Sequence, residues 1–444
     1  MSSAARILII GEQKDKENDL STALHTKGFE TYTGSITESA AEVSGKRRPD
    51  IVVLNMDSDE AQSNPKAFLA LARTLKHSSL SSRMRVLMVG TNATDNLEGV
   101  EKNLDDLLLG PIKTLQVCHR INSLIRLNTM HEELVRRLNT SAKYGVDAPP
   151  PILVPQTIDD AKILFMGDAK GYASIENALY KTTTLIGALT FNTAIDYLNR
   201  SSFDTILIDA GDKPENYMEF ARDIRRNSQF FNLPILMLVN KDVLEDPTTA
   251  YDNGITDIIE KPVSQQELKL RAMSLIREHR FRTSLRQIYK TSKHFATNDA
   301  LTGLYTRGFM YEHLSDMIQD IQKSSQTFSL AAIRIKNMKQ INEVLGYASG
   351  DRLIRQIGEL ISLLVRGEDL ACRYSSRRFV IILPDTSAKM TTNALKRIIG
   401  VVHHTEFAIQ GYNHPVSVAL DTGITGYQDG DTPDSIIERT WRTL

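Results

Sequence analysis

The fold class this chain of 444 residues predicts is α/β: two doubly wound parallel domains in tandem, followed by a mixed α+β domain. Three observations carry it. Short apolar runs alternate with amphipathic stretches through the first two thirds of the chain, the pattern of parallel sheets covered on both faces. The pattern occurs twice with its parts at the same offset, Asp50 to Asn55 in the first copy answering to Asp204 to Asp209 in the second. The remaining third mixes helical stretches with hairpin-like strands.

The first copy, 1–143, has the buried runs RILIIGE, DIVVLNMD and RVLMVGT, and closes with the helical INSLIRLNTMHEELVRRL. Pro149, Pro150 and Pro151 then predict a stiff extended linker over 144–157. The second copy, 158–282, reads KILFMGD, DTILIDAGD, PILMLVNKD and DIIEKPV. Its closing helix runs on as a connecting helix over 283–297. The last domain, 298–444, opens on DALTGLYTRGFMYEHL and continues through SLAAIRIKNMKQINEVLGYASGDRLI. Within it, RYSSRRFVIILPDT (Arg373–Thr386) predicts a hairpin, because the apolar FVIIL follows a short polar turn. That turn carries Arg377 and Arg378 side by side.

Composition narrows the function. A net charge of −1 offers no bulk attraction to nucleic acid, and no helix-turn-helix module follows the repeats. No apolar run approaches the roughly 20 residues of a membrane span, and the N-terminus lacks a leader pattern. The two cysteines, Cys118 and Cys372, sit in apolar settings without metal-ligand spacing. A soluble, cytoplasmic protein with reduced thiols is expected.

Each repeat resembles the phosphoacceptor receiver domain of two-component signalling, which implies a flavodoxin-like fold with its site at the strand C-termini. That family needs acidic residues after the first strand for Mg²⁺, an aspartate acceptor after the third and a lysine after the fifth. In the second repeat Asp168, Asp209 and Lys261 match those places, with Mg²⁺ implied at Asp168 and Asp209. Gly167 replaces the other acidic residue, and Val239 stands where a Thr or Ser usually reports phosphorylation. Phosphoryl chemistry and a receiver-shaped docking module both remain open. In the first repeat Glu12 keeps one acidic place, but Gly11 and Gly110 replace its partner and the lysine. Asn55 takes the acceptor place, and an amide is a far weaker nucleophile than a carboxylate.

The last domain resembles the GGDEF domain of diguanylate cyclases, on the entry motif DALTGLYTR (Asp299–Arg307). Receiver–receiver–GGDEF is the order of PleD-type response regulators, and the altered loop looks most like PopA-type cyclic di-GMP effectors. In that family two carboxylates hold the metal that activates GTP. Here RIKNMKQIN puts Arg334 at one of them, and the loop reads Ser375, Ser376, Arg377, Arg378. Arginine stays protonated and repels Mg²⁺. The chain stops at IIERTWRTL, short of the family's usual final helix, and a phosphate-holding lysine goes with it. Asn342 and Asp351 match the guanine-reading positions, where fold-stabilising polar caps are the other reading.

The resemblance also implies a ligand site. Arg366 and Asp369 form the R-x-x-D that precedes the loop in the family's inhibitory cyclic di-GMP site, and Arg397 matches a further ligand arginine. A second R-x-x-D, Arg47 to Asp50, lacks that offset and reads as a strand-start ion pair. The expectation is therefore a protein that is not an enzyme: a cyclic di-GMP receptor that recruits protein partners and forms a homodimer through its receivers, in the bacterial cytoplasm or at a cell pole, with a nucleotide-independent protein scaffold and a residual cyclase as the other readings.

Overall fold

The computed structural model describes residues 5–11, 20–36, 49–77, 84–90, 104–109, 114–146, 158, 160–179, 183–227, 229–244, 246–291, 297–321, 326–409, 412 and 414–444. These fall into two compact units, one of Ala5–Asn128 with Leu153–Thr283, the other of Thr129–Ile152 with Ser284–Leu444. The proline linker, Glu12, Arg47, Gly110 and part of the connecting helix lie outside the described residues.

The first unit contains two parallel sheets. One is built from β1 (Arg6–Ile10), β2 (Glu30–Gly34), β3 (Ile51–Asn55), β4 (Arg85–Gly90) and β5 (Asp106–Leu109), in the order β2-β1-β3-β4-β5. The other contains β6 (Ala161–Met166), β7 (Thr183–Ala188), β8 (Thr205–Gly211), β9 (Ile235–Asn240) and β10 (Asp257–Lys261), in the order β10-β9-β8-β6-β7. Read from its own first strand, each sheet has the same doubly wound order, whose ligand crevice lies beyond the strand C-termini. Runs such as IVVLN in β3 are buried at every residue because helices cover both faces. Alternate side chains therefore enter separate clusters, Val52 and Leu54 with Phe68 on one face, Ile51 and Val53 with Ile121 on the other.

The repeat extends to single hydrogen bonds. Asp50 Oδ2 accepts the Arg6 N–H at 2.9 Å, and Asp204 Oδ2 accepts the Lys162 N–H at 2.8 Å. Asp106 and Asp257 open the fifth strand of each sheet, and each meets an arginine of its closing helix, Arg120 and Arg271. Arg120 also reaches Asp257 at 3.1 Å, so the two domains share this buried charge cluster.

The second unit is built on a mixed sheet of β11 (Tyr305–Thr306), β12 (Phe328–Ile335), β13 (Leu370–Ser375), β14 (Arg378–Pro384) and β15 (Leu420–Gly426), in the order β11-β13-β14-β12-β15. β13 and β14 pair antiparallel as the hairpin that RYSSRRFVIILPDT predicts. β12 alternates its faces, sending Phe328 and Leu330 toward the Arg307–Ile321 and Pro433–Arg442 helices. Ala331, Ile333 and Ile335 turn to the opposite core, which the Tyr347–Leu364 and Ala388–His404 helices cover. Cys118 and Cys372 are free, buried thiols. Among the described residues no helix is long and apolar enough to cross a membrane.

Candidate functional site

In the second parallel domain three chemically useful side chains converge at the strand C-termini. Asp209 near the end of β8 lies 2.5 Å through Oδ1 from Lys261 Nζ at the end of β10. Asp168 follows β6, and its Oδ1 accepts the Gly171 N–H at 2.6 Å. Gly171 is the hinge of this arrangement, because a Cβ there would lie 2.5 Å from Asp209 Oδ2 and 3.2 Å from Asp168 Oδ1. Both carboxylates thus face one small space that a larger residue would fill. Val239, on β9, is fully buried and brings no hydroxyl to it.

The first parallel domain closes the same place. Asn55 is 2% exposed, and its Oδ1 accepts the Asp57 N–H at 3.1 Å. Its Nδ2 donates to the Gly11 carbonyl at 3.4 Å, the long end of a hydrogen bond. Ser58 Oγ donates to the Asn55 carbonyl at 2.9 Å and caps the next short helix by accepting from the Ala61 N–H. The amide therefore works as a local clasp.

In the C-terminal domain the sheet register sets Arg334 of β12 between Arg378 of β14 and Asp421 of β15. Arg334 donates to Asp421 Oδ2 through Nη2 at 2.6 Å, and Lys336 Nζ stands 3.3 Å from Oδ1. The bond from Arg334 is the main reason the Asp421 carboxyl titrates below its usual range. Arg378 lies over the Trp441 ring, 5.1 Å from its centroid. The Arg377 carbonyl accepts the Ile335 N–H at 3.0 Å, while Ser375 and Ser376 are exposed at the turn. Arg373, just before the turn, pairs with Asp299 of the entry motif at 3.1 Å. Among the described residues Arg334, Lys336 and Arg378 gather here, and the Asp421 carboxylate beside them is shared by Arg334 and Lys336, a set that does not suit a resident divalent metal.

The Arg366–Asp369 turn leads from the Tyr347–Leu364 helix into β13. Asp369 is buried, and its Oδ2 accepts the Arg366 N–H at 2.8 Å. Arg397, on the Ala388–His404 helix, donates from Nη2 to the Leu364 carbonyl at 2.7 Å, capping the helix that ends there. All three residues singled out from sequence therefore meet around one helix C-terminus. Asn342 and Asp351 sit on successive helices, Met338–Leu345 and Tyr347–Leu364. Asp351 is exposed, whereas Asn342 Oδ1 is buried without a hydrogen-bond partner. Gly350 makes room for it, since a Cβ there would lie 2.0 Å from that oxygen.

Sequence reasoning missed Arg137, which touches the Arg366–Asp369 turn through two backbone carbonyls. No motif signals such a contact, because backbone acceptors look alike at every position.

Comparison with known proteins follows the same division. Residues 296–444 match the model of the diguanylate cyclase GGDEF domain. Response regulator PleD of Caulobacter vibrioides is 24% identical over 452 aligned residues, covering 98% of this chain and 95% of its own length. Diguanylate cyclase DgcP of Pseudomonas aeruginosa is 27% identical over 149 residues, 34% of this chain and 22% of that protein. The solved GGDEF domain of DgcB from Caulobacter crescentus, in complex with c-di-GMP, is 24% identical over 34% of this chain and 88% of that one. Its TM-score is 0.33, too low to carry an inference about this chain.

Residues 296–444 thus match a GGDEF domain, and the chain is similar along its length to response regulator PleD. The expectation of a receptor that is not an enzyme is corrected by these findings. The relatives matched over the last domain are named diguanylate cyclases, so the comparisons point to an enzymatic family. The expectation rested on a few loop side chains, and these do not outweigh a match to the whole domain.

Proposed function

We propose that this chain is a response regulator of the diguanylate cyclase kind, acting in cyclic di-GMP signalling and binding cyclic di-GMP at the Arg366–Asp369 turn. The observation that carries the reading is the turn itself. A guanidinium and a carboxylate stand at one helix end, held by the Asp369 to Arg366 N–H bond, with Arg397 on the adjoining helix. Guanidinium forks suit guanine O6 and N7 or a phosphate, and a carboxylate suits the guanine N1 and N2 donors. Asn342 and Asp351 are proposed as a second place where a guanine edge is read. The buried, unpartnered Asn342 Oδ1 supports this, because a guanine N–H would satisfy it.

The two parallel domains are proposed as receivers, with Asp209 the phosphoacceptor of the second. Asp168 and Asp209 fit Mg²⁺, which commonly takes one or two carboxylates from a protein and completes its shell with water and phosphate. Bound there, the ion would offset the charge of an incoming phosphoryl group. Lys261, already on Asp209, is placed to pair with the product. A cytoplasmic homodimer docking through its receivers completes the proposal.

Isothermal calorimetry tests the ligand site. Wild-type protein is expected to bind cyclic di-GMP and Arg366→Ala to lose most of that affinity; a wild type that takes up no dinucleotide sinks the reading. Conversion of GTP to cyclic di-GMP by the purified chain tests separately the activity after which its relatives are named.

A further inference from the structure

The Thr114–Lys143 helix presents Arg137 to the turn on which the proposed ligand sits. Arg137 is 8% exposed, and its Nη2 donates to the Glu368 carbonyl at 2.7 Å and the Asp369 carbonyl at 2.8 Å. Its Nε donates to Glu133 Oε1 at 3.0 Å. Glu133 is buried as well, accepts from Arg136 Nη1 at 2.7 Å, and stands 2.8 Å from His313 Nε2. Burial works against the Glu133 charge, but His313 and then Arg137 outweigh it and draw the carboxyl down to about 2. Glu133, paired with both Arg136 and Arg137, fixes the guanidinium of Arg137 by one edge.

A guanidinium is planar, so holding one edge orients the other. Two successive carbonyls reach the same Nη2 only when both peptide planes turn toward it. Those planes belong to Glu368 and Asp369, and the second sets the direction in which the Asp369 side chain leaves the backbone. The Asp369 to Arg366 N–H bond then carries the same constraint to the start of the turn.

We propose that Arg137 is a positioning residue for the Arg366–Asp369 ligand turn, preorganising it for the dinucleotide without touching the ligand. The proposal rests on the reading of that turn as the cyclic di-GMP site. Preorganisation raises affinity by removing the cost of ordering the site on binding. Supporting residues of this kind change affinity by roughly 10-fold to 100-fold at metal sites, and about 10-fold is expected here.

Arg136 provides the control. It is equally buried and shares Glu133, but its other pairing is with Asp320 at 3.2 Å. Calorimetry with cyclic di-GMP on the full chain should compare wild type, Arg137→Ala, Arg137→Lys and Arg136→Ala, with a thermal melt of each. Both alanine variants should lower Tm, only Arg137→Ala should weaken binding about 10-fold, and Arg137→Lys should fall between. Wild-type affinity in Arg137→Ala, or an equal loss in Arg136→Ala, overturns the proposal. If Arg137→Ala does not fold, the lysine variant decides by the same comparison. Hydrogen exchange on the ligand-free chain gives an independent readout: faster exchange at 366–370 in the Arg137 variants alone supports positioning, and unchanged exchange refutes it. A wild type that binds no dinucleotide refutes the ligand site itself, a result distinguishable from failure of Arg137 alone.

Discussion

At the C-terminal end of the third strand of each parallel sheet stands one side chain, Asn55 in the first domain and Asp209 in the second. Around them the two domains agree closely. Each has the same strand order, an aspartate accepting an N–H at the start of the first strand, and the same aspartate–arginine meeting at the fifth. At the strand end they part. Asn55 is folded into Gly11 and Asp57, whereas Asp209 faces Lys261 and the carboxylate of Asp168 across Gly171. The difference teaches which positions the fold itself demands. Buried backbone donors must be paired wherever the sheet forms, so Asp50 and Asp204 recur. The rim position satisfies no such demand, and its chemistry changes while the scaffold persists.

The largest effect expected from this comparison is all-or-none. Asp209→Asn should abolish covalent labelling by acetyl phosphate in Mg²⁺, read by intact-protein mass. Asn55→Asp should add no second label, because residue 55 is buried and packed against Gly11 rather than facing a lysine as Asp209 does. Labelling at residue 55 comparable to that at Asp209 would break the contrast between the domains.

The next effect concerns the shared buried charges. Burial opposes the charge of Asp257, but Arg271 and then Arg120 outweigh it and hold its carboxyl below the ordinary 3.8. Burial pushes Asp106 the other way, above 3.8; among the described residues its side chain is held by Arg120, with Oδ1 left without a hydrogen bond. Asp257→Asn should cost about 3–5 kcal/mol, the usual range for breaking a buried pair. Asp106→Asn should cost less, since Arg120 keeps Asp257. The pH dependence has opposite signs. The contribution of Asp257 is present above 3.8 and lost as pH falls through its lowered value, whereas ionisation of Asp106 costs stability as pH rises from 3.8 through its raised one. Urea midpoints between pH 3 and 7 check both, and equal costs would erase the distinction.

Much of this was legible in the sequence because its signals are local. Continuous apolar runs mark buried parallel strands, and their recurrence at one offset marks the repeat. A polar turn before FVIIL marks the hairpin. The positions of Arg366, Asp369 and Arg397 were legible too, through their motif. Their surroundings were not. Arg334 meets Asp421 across 87 residues of chain, and Arg137 meets the Glu368 carbonyl across 231, with no pattern to announce either. The enzymatic class was misread for a related reason, since Arg334 and four altered loop positions were allowed to speak for a whole domain.

The smallest effect separates the two strand-opening aspartates. Asp50 and Asp204 accept nearly identical backbone bonds, so the cost of losing that bond should cancel between them. They differ in the arginine beside them. Arg280 donates to Asp204 through Nε at 2.7 Å and Nη2 at 2.8 Å, while Arg6 approaches Asp50 no closer than 3.5 Å. A two-pronged arginine adds charge-assisted hydrogen bonds in a fixed geometry, and the longer contact adds little. Asp204→Ala should therefore exceed Asp50→Ala by about 1 kcal/mol, the order of one net hydrogen bond. Arg280→Ala in the Asp204→Ala background should then cost nothing further. A residual cost for Arg280 would mean that its contacts with Asp160, the carboxylate at 2.6 Å and the carbonyl at 3.1 Å, contribute to the holding beside Asp204.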